Sequence, residues 1–396
     1  MFRALSQIVS VTRFSLASLP QRLGSSASAM LGIAGVVAVM VGVLSIAQGI
    51  MSTMTGSAKP ANVMVLRSGA DTEMTSGLGG DEARIITEAP GLARNGDEVL
   101  ASRELFVIIN SPLKSTGTDA NVPLRGVDRT AAQVRQDFEI VEGRMFEDGI
   151  AEVIVGVGAS LEFSGMNLGD SVEIGSERWP VVGIFSTGGG VSESEVWSDA
   201  RVVQDAFRRG NSYQSIHATL TSPDSFVAFK DALTSDPRLN VSVVTEAEYY
   251  AGQSQLLYNL ITGLGTLIAL IMGLGAIFGA LNTMYTAVSS RTREIATLRA
   301  LGFNSGPVIF SVLAESLLLA LAGGLIGAGL AWLAFDGFRA ATLNFASFSA
   351  ITFAFDVNLP LLIAGIFFAL VIGFFGGLFP AIRAARTPVA HALREL

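Results

Sequence analysis

The chain has 396 residues, of which 50% are hydrophobic and 15% are charged, with a mean hydropathy of +0.51. Soluble globular proteins carry about 25% charged residues, so this composition indicates a membrane protein. The lack of cysteine excludes disulfides and thiolate metal sites, two histidines are too few for a histidine-built metal site, and a net charge of −8 gives no support to nucleic-acid binding.

Charge divides the chain into an acidic middle and apolar ends. Residues 51–255 hold 16 of the 26 Lys+Arg and 29 of the 34 Asp+Glu, a net charge of −13. The other 191 residues hold 10 basic and 5 acidic side chains, a net charge of +5. This distribution predicts a water-exposed middle domain between membrane-embedded ends.

The first predicted element is a moderately amphipathic segment, residues 1–28, part of which we expect to lie in the cytoplasmic membrane interface. The alternative is a flexible tail.

Four long apolar runs predict transmembrane helices at residues 29–50, 256–285, 308–335 and 357–380. About 20 residues suffice to cross roughly 30 Å of hydrocarbon. Helices buried in a soluble core would show polar faces at the 3.6-residue period, and none of the four does. The first run exceeds the roughly 7–15 apolar residues of a signal peptide, so we interpret it as a retained helix.

The sequence of the middle domain, residues 51–255, has the pattern of an α+β fold. The order strand–helix–strand occurs near its start and again near its end, which gives two βαβ-like halves. These halves flank a β-rich insert at about residues 122–206. The Gly-rich loop at residues 186–191 lacks the spacing that binds nucleotide phosphates.

No catalytic motif occurs in the chain, which lacks GxxxxGK[ST], HExxH and GxSxG. The acidic residues of the middle domain are scattered, a pattern typical of a solvated surface. We therefore predict no catalytic, cofactor-binding or metal-binding residue, and no enzymatic activity of the chain itself.

The loop between the second and third apolar runs, residues 286–307, contains a short amphipathic helix with the sequence SSRTREIATLRALGF. Its apolar stripe is Ile295, Leu298 and Leu301, and Gly302 supplies a helix stop. Charged residues surround the stripe: Arg291, Arg293, Glu294 and Arg299. Such a helix suits either a groove on a partner protein or the lipid headgroups, and composition leaves both open.

Three of the segments that flank the apolar runs are rich in arginine. By the positive-inside rule, these segments are predicted to be cytoplasmic: residues 1–28, 286–307 and the tail 381–396. The middle domain and a short loop, residues 336–356, are then outside the cell membrane. Three apolar runs also carry glycine pairs at a spacing that lets helix backbones approach closely. These pairs predict self-association or packing within one chain: Gly275/Gly279, Gly323/Gly327 and Gly373/Gly377.

The amphipathic helix resembles the RTREIGxLRALG signature of the permease subunits of MacB/FtsX-type ABC transporters, a family that includes the lipoprotein-releasing permeases. The C-terminal FPAIRAARTPVAHALREL is similar to that family's closing pattern, although Ala390-His391 stands where an acidic residue is usual. The segments GRMF, VIVG, LGDSVEI and PVVGIF also follow the order of the family's periplasmic domain.

The resemblance implies a permease of the bacterial inner membrane that binds no cofactor itself. A separate cytoplasmic ATPase subunit would bind ATP and Mg and dock on the amphipathic helix. A second permease copy would pair with the chain, with Gly275/Gly279 near the dimer axis. Export or extraction of a periplasmic or membrane-derived substrate is implied, with a periplasmic adaptor and an outer-membrane channel as further partners. The alternative is a regulatory or sensor protein that controls a cell-wall hydrolase or senses a ligand, without transport.

Overall fold

The computed structural model describes residues 23–56, 58–135, 137–344 and 349–388, which form two compact units. One unit consists of the described residues within 1–48, 259–338 and 355–396, and the other of those within 49–258 and 339–354. Most of the predicted N-terminal amphipathic segment and the pair Ala390-His391 lie outside the described residues.

The helices of the described residues are α1 (Leu23–Thr55), α2 (Gly80–Thr87), α3 (Ala131–Val134), α4 (Val157–Glu162), α5 (Ala200–Ala206), α6 (Phe226–Thr234), α7 (Glu246–Ser290), α8 (Thr292–Ala300), α9 (Ser305–Phe335) and α10 (Leu359–Arg386). Four of them, α1, α7, α9 and α10, are long and apolar enough to cross a membrane.

The strands of the described residues are β1 (Asn62–Arg67), β2 (Leu78–Gly79), β3 (Arg94–Asn95), β4 (Glu98–Val99), β5 (Ala101–Pro112), β6 (Asp119–Val127), β7 (Glu139–Gly143), β8 (Val153–Gly156), β9 (Ser171–Ile174), β10 (Glu177–Ser186), β11 (Val196–Asp199), β12 (Ser212–Tyr213), β13 (Ser215–Thr219), β14 (Val241–Thr245), β15 (Arg339–Asn344) and β16 (Ser349–Ala354).

The unit of long helices has a core in which small residues let backbones approach. Val37 of α1, Ala320 of α9 and Ile372 of α10 are buried in one apolar cluster. Ser316 Oγ of α9 donates a hydrogen bond of 2.6 Å to the carbonyl oxygen of Gly373 in α10. Close packing of this kind holds membrane helices together where burial from water contributes nothing.

The α+β unit is built around one sheet with the strand order β14-β1-β13-β5-β6-β11-β8-β10-β7, and β9 pairs with β10. Its first four strands come from both ends of the domain, and each is antiparallel to its neighbour in the sheet. Helices α2 and α6 cover them, with Ile86 and Phe229 in the shared core. This arrangement is a split βαβ fold.

The insert continues the same sheet and has a second core around Phe163, Trp179 and Val196. The prediction of four apolar helices with an α+β domain, made of two βαβ-like halves and a β-rich insert, is thus confirmed.

The segment predicted as a short loop, residues 336–356, contains a β-hairpin of β15 and β16 in the described residues. This hairpin belongs to the α+β unit, where the backbone N–H of Thr352 donates to Ser194 Oγ at 2.9 Å. The alternation of buried Ile351 and Phe353 with half-buried neighbours is the period-two pattern of a strand with one packed face.

Candidate functional site

Hydrogen bonds connect both ends of helix α8 to neighbouring segments of the helical unit. Arg291, which precedes its first turn, donates from Nη1 to Oε2 of Glu315 in α9 at 3.2 Å and from Nε to Glu294 at 3.1 Å. Near the other end, Arg299 Nη1 donates to the carbonyl oxygen of Thr387 at 2.6 Å. Gly302 then takes a φ of +94°, a left-handed conformation that ends the helix.

The predicted apolar stripe of α8 is divided between two environments. Ile295 and Leu298 line an apolar pocket inside the helical unit, opposite Val308 and Val312 of α9. Leu301, by contrast, is 73% exposed, and Arg293 is exposed too. Leu301 and Arg293 are therefore exposed at the end of α8, whereas Ile295 and Leu298 are half-buried on the side that faces α9.

The glycine pairs also differ in their surroundings. A Cβ added at Gly323 or Gly327 would meet backbone oxygens of α1 at 2.7 and 2.3 Å. A Cβ added at Gly373 would lie 2.3 Å from Cβ of Ala320, and one at Gly377 would lie 2.6 Å from Cβ of Ser316. These four glycines pack within the chain.

At Gly275 and Gly279 an added Cβ would meet no atom within 4 Å in the described residues. Large apolar side chains of α7 are exposed on either side, with Leu274 at 59% and Phe278 at 71%. Within the described residues, therefore, no other part of the chain packs against α7 at Gly275 and Gly279.

The α+β unit contains a cluster of charged side chains that sequence reasoning missed. Its members, which we call the buried ion network, share burial of at least 95%: Glu73, Glu104, Arg125, Arg135, Glu195, His217 and Glu246. The scattered acidic residues were expected on a solvated surface, and these four carboxylates are an exception. Their signal in the sequence is that Glu104 directly precedes the apolar run 105–109 of β5 and that Arg125 directly follows Leu124 in β6.

Arg125 of β6 lies at the centre of the buried ion network. Its Nη1 donates to Glu73 at 2.6 Å and to Glu104 at 2.9 Å, and its Nη2 donates to Glu195 at 2.7 Å. Arg135 Nη2 donates to Glu104 at 2.7 Å. A buried charge is stable only when it is paired and hydrogen-bonded in this way.

Burial by itself would raise the pKa of Glu73, but the Arg125 guanidinium and the hydrogen bond from His217 hold that pKa well below its ordinary value. Burial opposes ionisation of Glu104 as well, and Arg135, His217 and Arg125 lower its pKa. One carboxylate oxygen each of Glu73 and Glu104 and one ring nitrogen of His217, the atoms that would ligate a metal ion, lie within 4.8 Å of one another. Because the same carboxylates already bind two guanidinium groups, the cluster has the geometry of an ion-pair network.

Comparison with known proteins assigns the family. A sequence profile of the MacB-like periplasmic core domain matches residues 26–236, more than half of the chain, and one of the FtsX-like permease C-terminal region matches residues 266–389. The chain belongs to the MacB/FtsX-type ABC transporter permeases. It is accordingly a multi-pass membrane protein, and its α+β unit is the periplasmic domain.

Individual relatives are distant. The permease is 30% identical over 152 residues to the uncharacterized ABC transporter permease YknZ of Bacillus subtilis (strain 168), a match that covers 38% of this chain and 36% of YknZ. It is 27% identical over 352 residues to the macrolide export ATP-binding/permease protein MacB of Azoarcus sp. (strain BH72), covering 82% of this chain and 51% of that protein. The permease thus spans about a third to a half of the length of these curated relatives.

The periplasmic region of MacB from Actinobacillus actinomycetemcomitans, known from a crystal structure, aligns with 53% of this permease and 98% of that chain, at 13% identity and a TM-score of 0.38.

Proposed function

We propose that this permease is the membrane subunit of an ABC exporter whose energy comes from a separate cytoplasmic ATPase. The ATPase binds Mg and ATP, and the permease transmits its movement to the periplasmic domain. The observation that carries this proposal is the exposed surface at the end of α8 around Leu301 and Arg293, on a helix that Arg291 and Arg299 hydrogen-bond to neighbouring segments. A short helix that ends in an exposed apolar side chain suits docking into a groove.

In the proposed topology the four long helices cross the inner membrane, both termini and α8 are cytoplasmic, and residues 51–255 and 336–356 are periplasmic. The three arginines near α8, against a single glutamate, support this orientation. The second partner is another permease copy that packs on the open face of α7 at Gly275 and Gly279. Their lack of neighbours supports an intermolecular role, because small residues in membrane helices are otherwise used for packing within the chain.

The substrate of the proposed exporter is a periplasmic or membrane-derived molecule, and an adaptor and an outer-membrane channel complete its path. The names of relatives support export: one is a macrolide export protein, and another, from Pseudomonas putida, is a pyoverdine export protein.

Co-purification tests the proposal. An affinity-tagged permease isolated from its native membranes should bring down an ABC ATPase and Mg-dependent ATP hydrolysis. The variant Leu301→Glu should lose most of both, because it places a charge in an apolar contact that becomes buried on docking. A matched control is Leu161→Glu on α4 of the periplasmic domain, where the leucine is 56% exposed. A wild-type chain that elutes without an ATPase, or a Leu301→Glu variant that retains it, would contradict the proposal.

A further inference from the structure

The periplasmic domain contains a cavity of about 620 Å³, which we call the basal cavity. It lies between the end of α1, at Ile50 and Met54, the first three turns of α7, and strand β15 at Leu343. Because α1 and α7 are both apolar enough to cross a membrane, the cavity is at the end of two spanning helices.

One side of the basal cavity is apolar. Ile50 and Met54 are almost fully buried, whereas Leu256 is 61% exposed and Leu343 is 43% exposed. Covering such side chains with an apolar ligand contributes about 25 cal/mol for each Å² removed from water. Gln253 and Asn344, joined by a hydrogen bond of 3.2 Å, add amide groups to the lining of the cavity.

The charged residues of the basal cavity are both acidic. Asp71 and Glu248 line it, and none of its lining residues is Lys, Arg or His. The Glu248 carboxylate accepts the backbone N–H of Thr245 at 3.2 Å, and within the part of the chain that the structure describes neither carboxylate has a basic partner. A concave site lined by one sign of charge attracts ligands of the other sign.

We propose that the basal cavity binds an amphipathic cation, that is, an apolar body carrying an amine or a quaternary ammonium group. The apolar side takes the body, and Asp71 and Glu248 face the charge. A volume of about 620 Å³ suits a drug-sized molecule, since such sites measure about 300–1,000 Å³. This inference goes beyond the proposed function, because binding in the cavity requires no ATPase.

The test uses rhodamine 6G, a fluorescent amphipathic cation, and the full permease in nanodiscs of zwitterionic lipid, with empty nanodiscs as the blank. Saturable binding is expected. Gly252→Trp should reduce the affinity at least tenfold: Gly252 lines the cavity, and a Cβ added there meets no atom within 4 Å, so the indole fills space that the ligand needs. Gly263→Trp is the matched control on the same helix, also with open space at its Cβ. It should bind as wild type.

The charge is tested by Glu248→Gln and Asp71→Asn, which keep the size of each side chain. Glutamine can also keep the hydrogen bond at the start of α7. Each change should weaken rhodamine 6G binding about two- to fivefold, as expected for ion pairs near a protein surface. The anionic probe 1-anilinonaphthalene-8-sulfonate should bind wild type weakly and both variants better.

Three results would overturn the inference: no saturable binding of rhodamine 6G, equal binding by Gly252→Trp and Gly263→Trp, or binding of either probe that is indifferent to both carboxylates. The last result would indicate a neutral lipid chain as the occupant. Since no ATPase is present, each of these failures would leave the docking on α8 untouched.

Discussion

Replacing Arg125 by methionine should destabilise the periplasmic domain strongly at neutral pH. Arg125 makes five hydrogen bonds to three buried carboxylates, and its loss leaves Glu73 and Glu195 without a guanidinium partner. Removing one partner of a buried ion pair costs about 3–5 kcal/mol. With an m-value of about 2 kcal/mol per M urea, the unfolding midpoint should fall by roughly 2 M.

The measurement is urea unfolding of the full permease in detergent, followed by tryptophan fluorescence. Trp179 and Trp197 are fully buried in the periplasmic domain and report its unfolding. The control, Arg103→Met, removes a partly exposed arginine that pairs with Asp128 at 2.7 Å, and it should cost less than about 1 kcal/mol.

The loss of stability in Arg125→Met should depend on pH. In the variant, Glu73 loses the cation that holds its pKa down, so burial raises the pKa of this carboxyl above its unfolded value. A buried carboxyl with a raised pKa destabilises the fold at neutral pH, where it is ionised. This destabilisation decreases as acid protonates the carboxyl. The gap between wild type and Arg125→Met should therefore narrow from pH 7.5 to pH 5. An unchanged midpoint at pH 7.5, or a gap that is constant across this range, would refute the reasoning.

Three further predictions concern topology, assembly and acid stability. Because the chain lacks cysteine, Ser176→Cys, at an exposed turn of the periplasmic domain, should react with an impermeant thiol reagent in spheroplasts, and the exposed Ser290→Cys should react only after lysis. Labelling of both in intact spheroplasts would reject the proposed orientation. Gly275→Leu should weaken self-association in crosslinking, whereas Gly377→Leu, which clashes within the chain, should lower the yield of folded protein; the reverse pattern would move the dimer contact to α10. The wild-type domain should lose stability as pH falls below about 4.5, because the lowered pKa of Glu104 stabilises the fold only above its unfolded value. A midpoint independent of pH between 5 and 3 would exclude this contribution.

Sequence reasoning predicted the elements whose signal is local. The apolar runs are long and uncharged, and the two strand–helix–strand orders identified β1, α2 and β5 as well as β13, α6 and β14. The sequence pattern did not predict which strands pair, because β1 pairs with β13 and β14, which follow about 150 to 180 residues later. Such pairings depend on contacts between distant segments, which composition does not encode.

The buried ion network and the division of the α8 stripe could not be predicted for a similar reason. A charged residue such as Glu73 is normally exposed, and only the convergence of several elements on Arg125 makes its burial favourable. The period of the stripe did place Ile295, Leu298 and Leu301 near one face of α8. Whether that face meets its own chain or a partner depends on where α9 lies. Here Ile295 and Leu298 line a pocket together with α9, and Leu301 is exposed.

The pairing of β1 with β14 constrains how the two helices attached to them can move. Strand β1 starts seven residues after α1 ends, and β14 runs directly into α7. Their antiparallel register, from Val63↔Thr245 to Arg67↔Val241, resists sliding, because a slip of one residue would move every side chain of a strand to the opposite face of the sheet. The ends of α1 and α7 that adjoin the sheet are therefore followed or preceded by two strands that keep a fixed offset along each other.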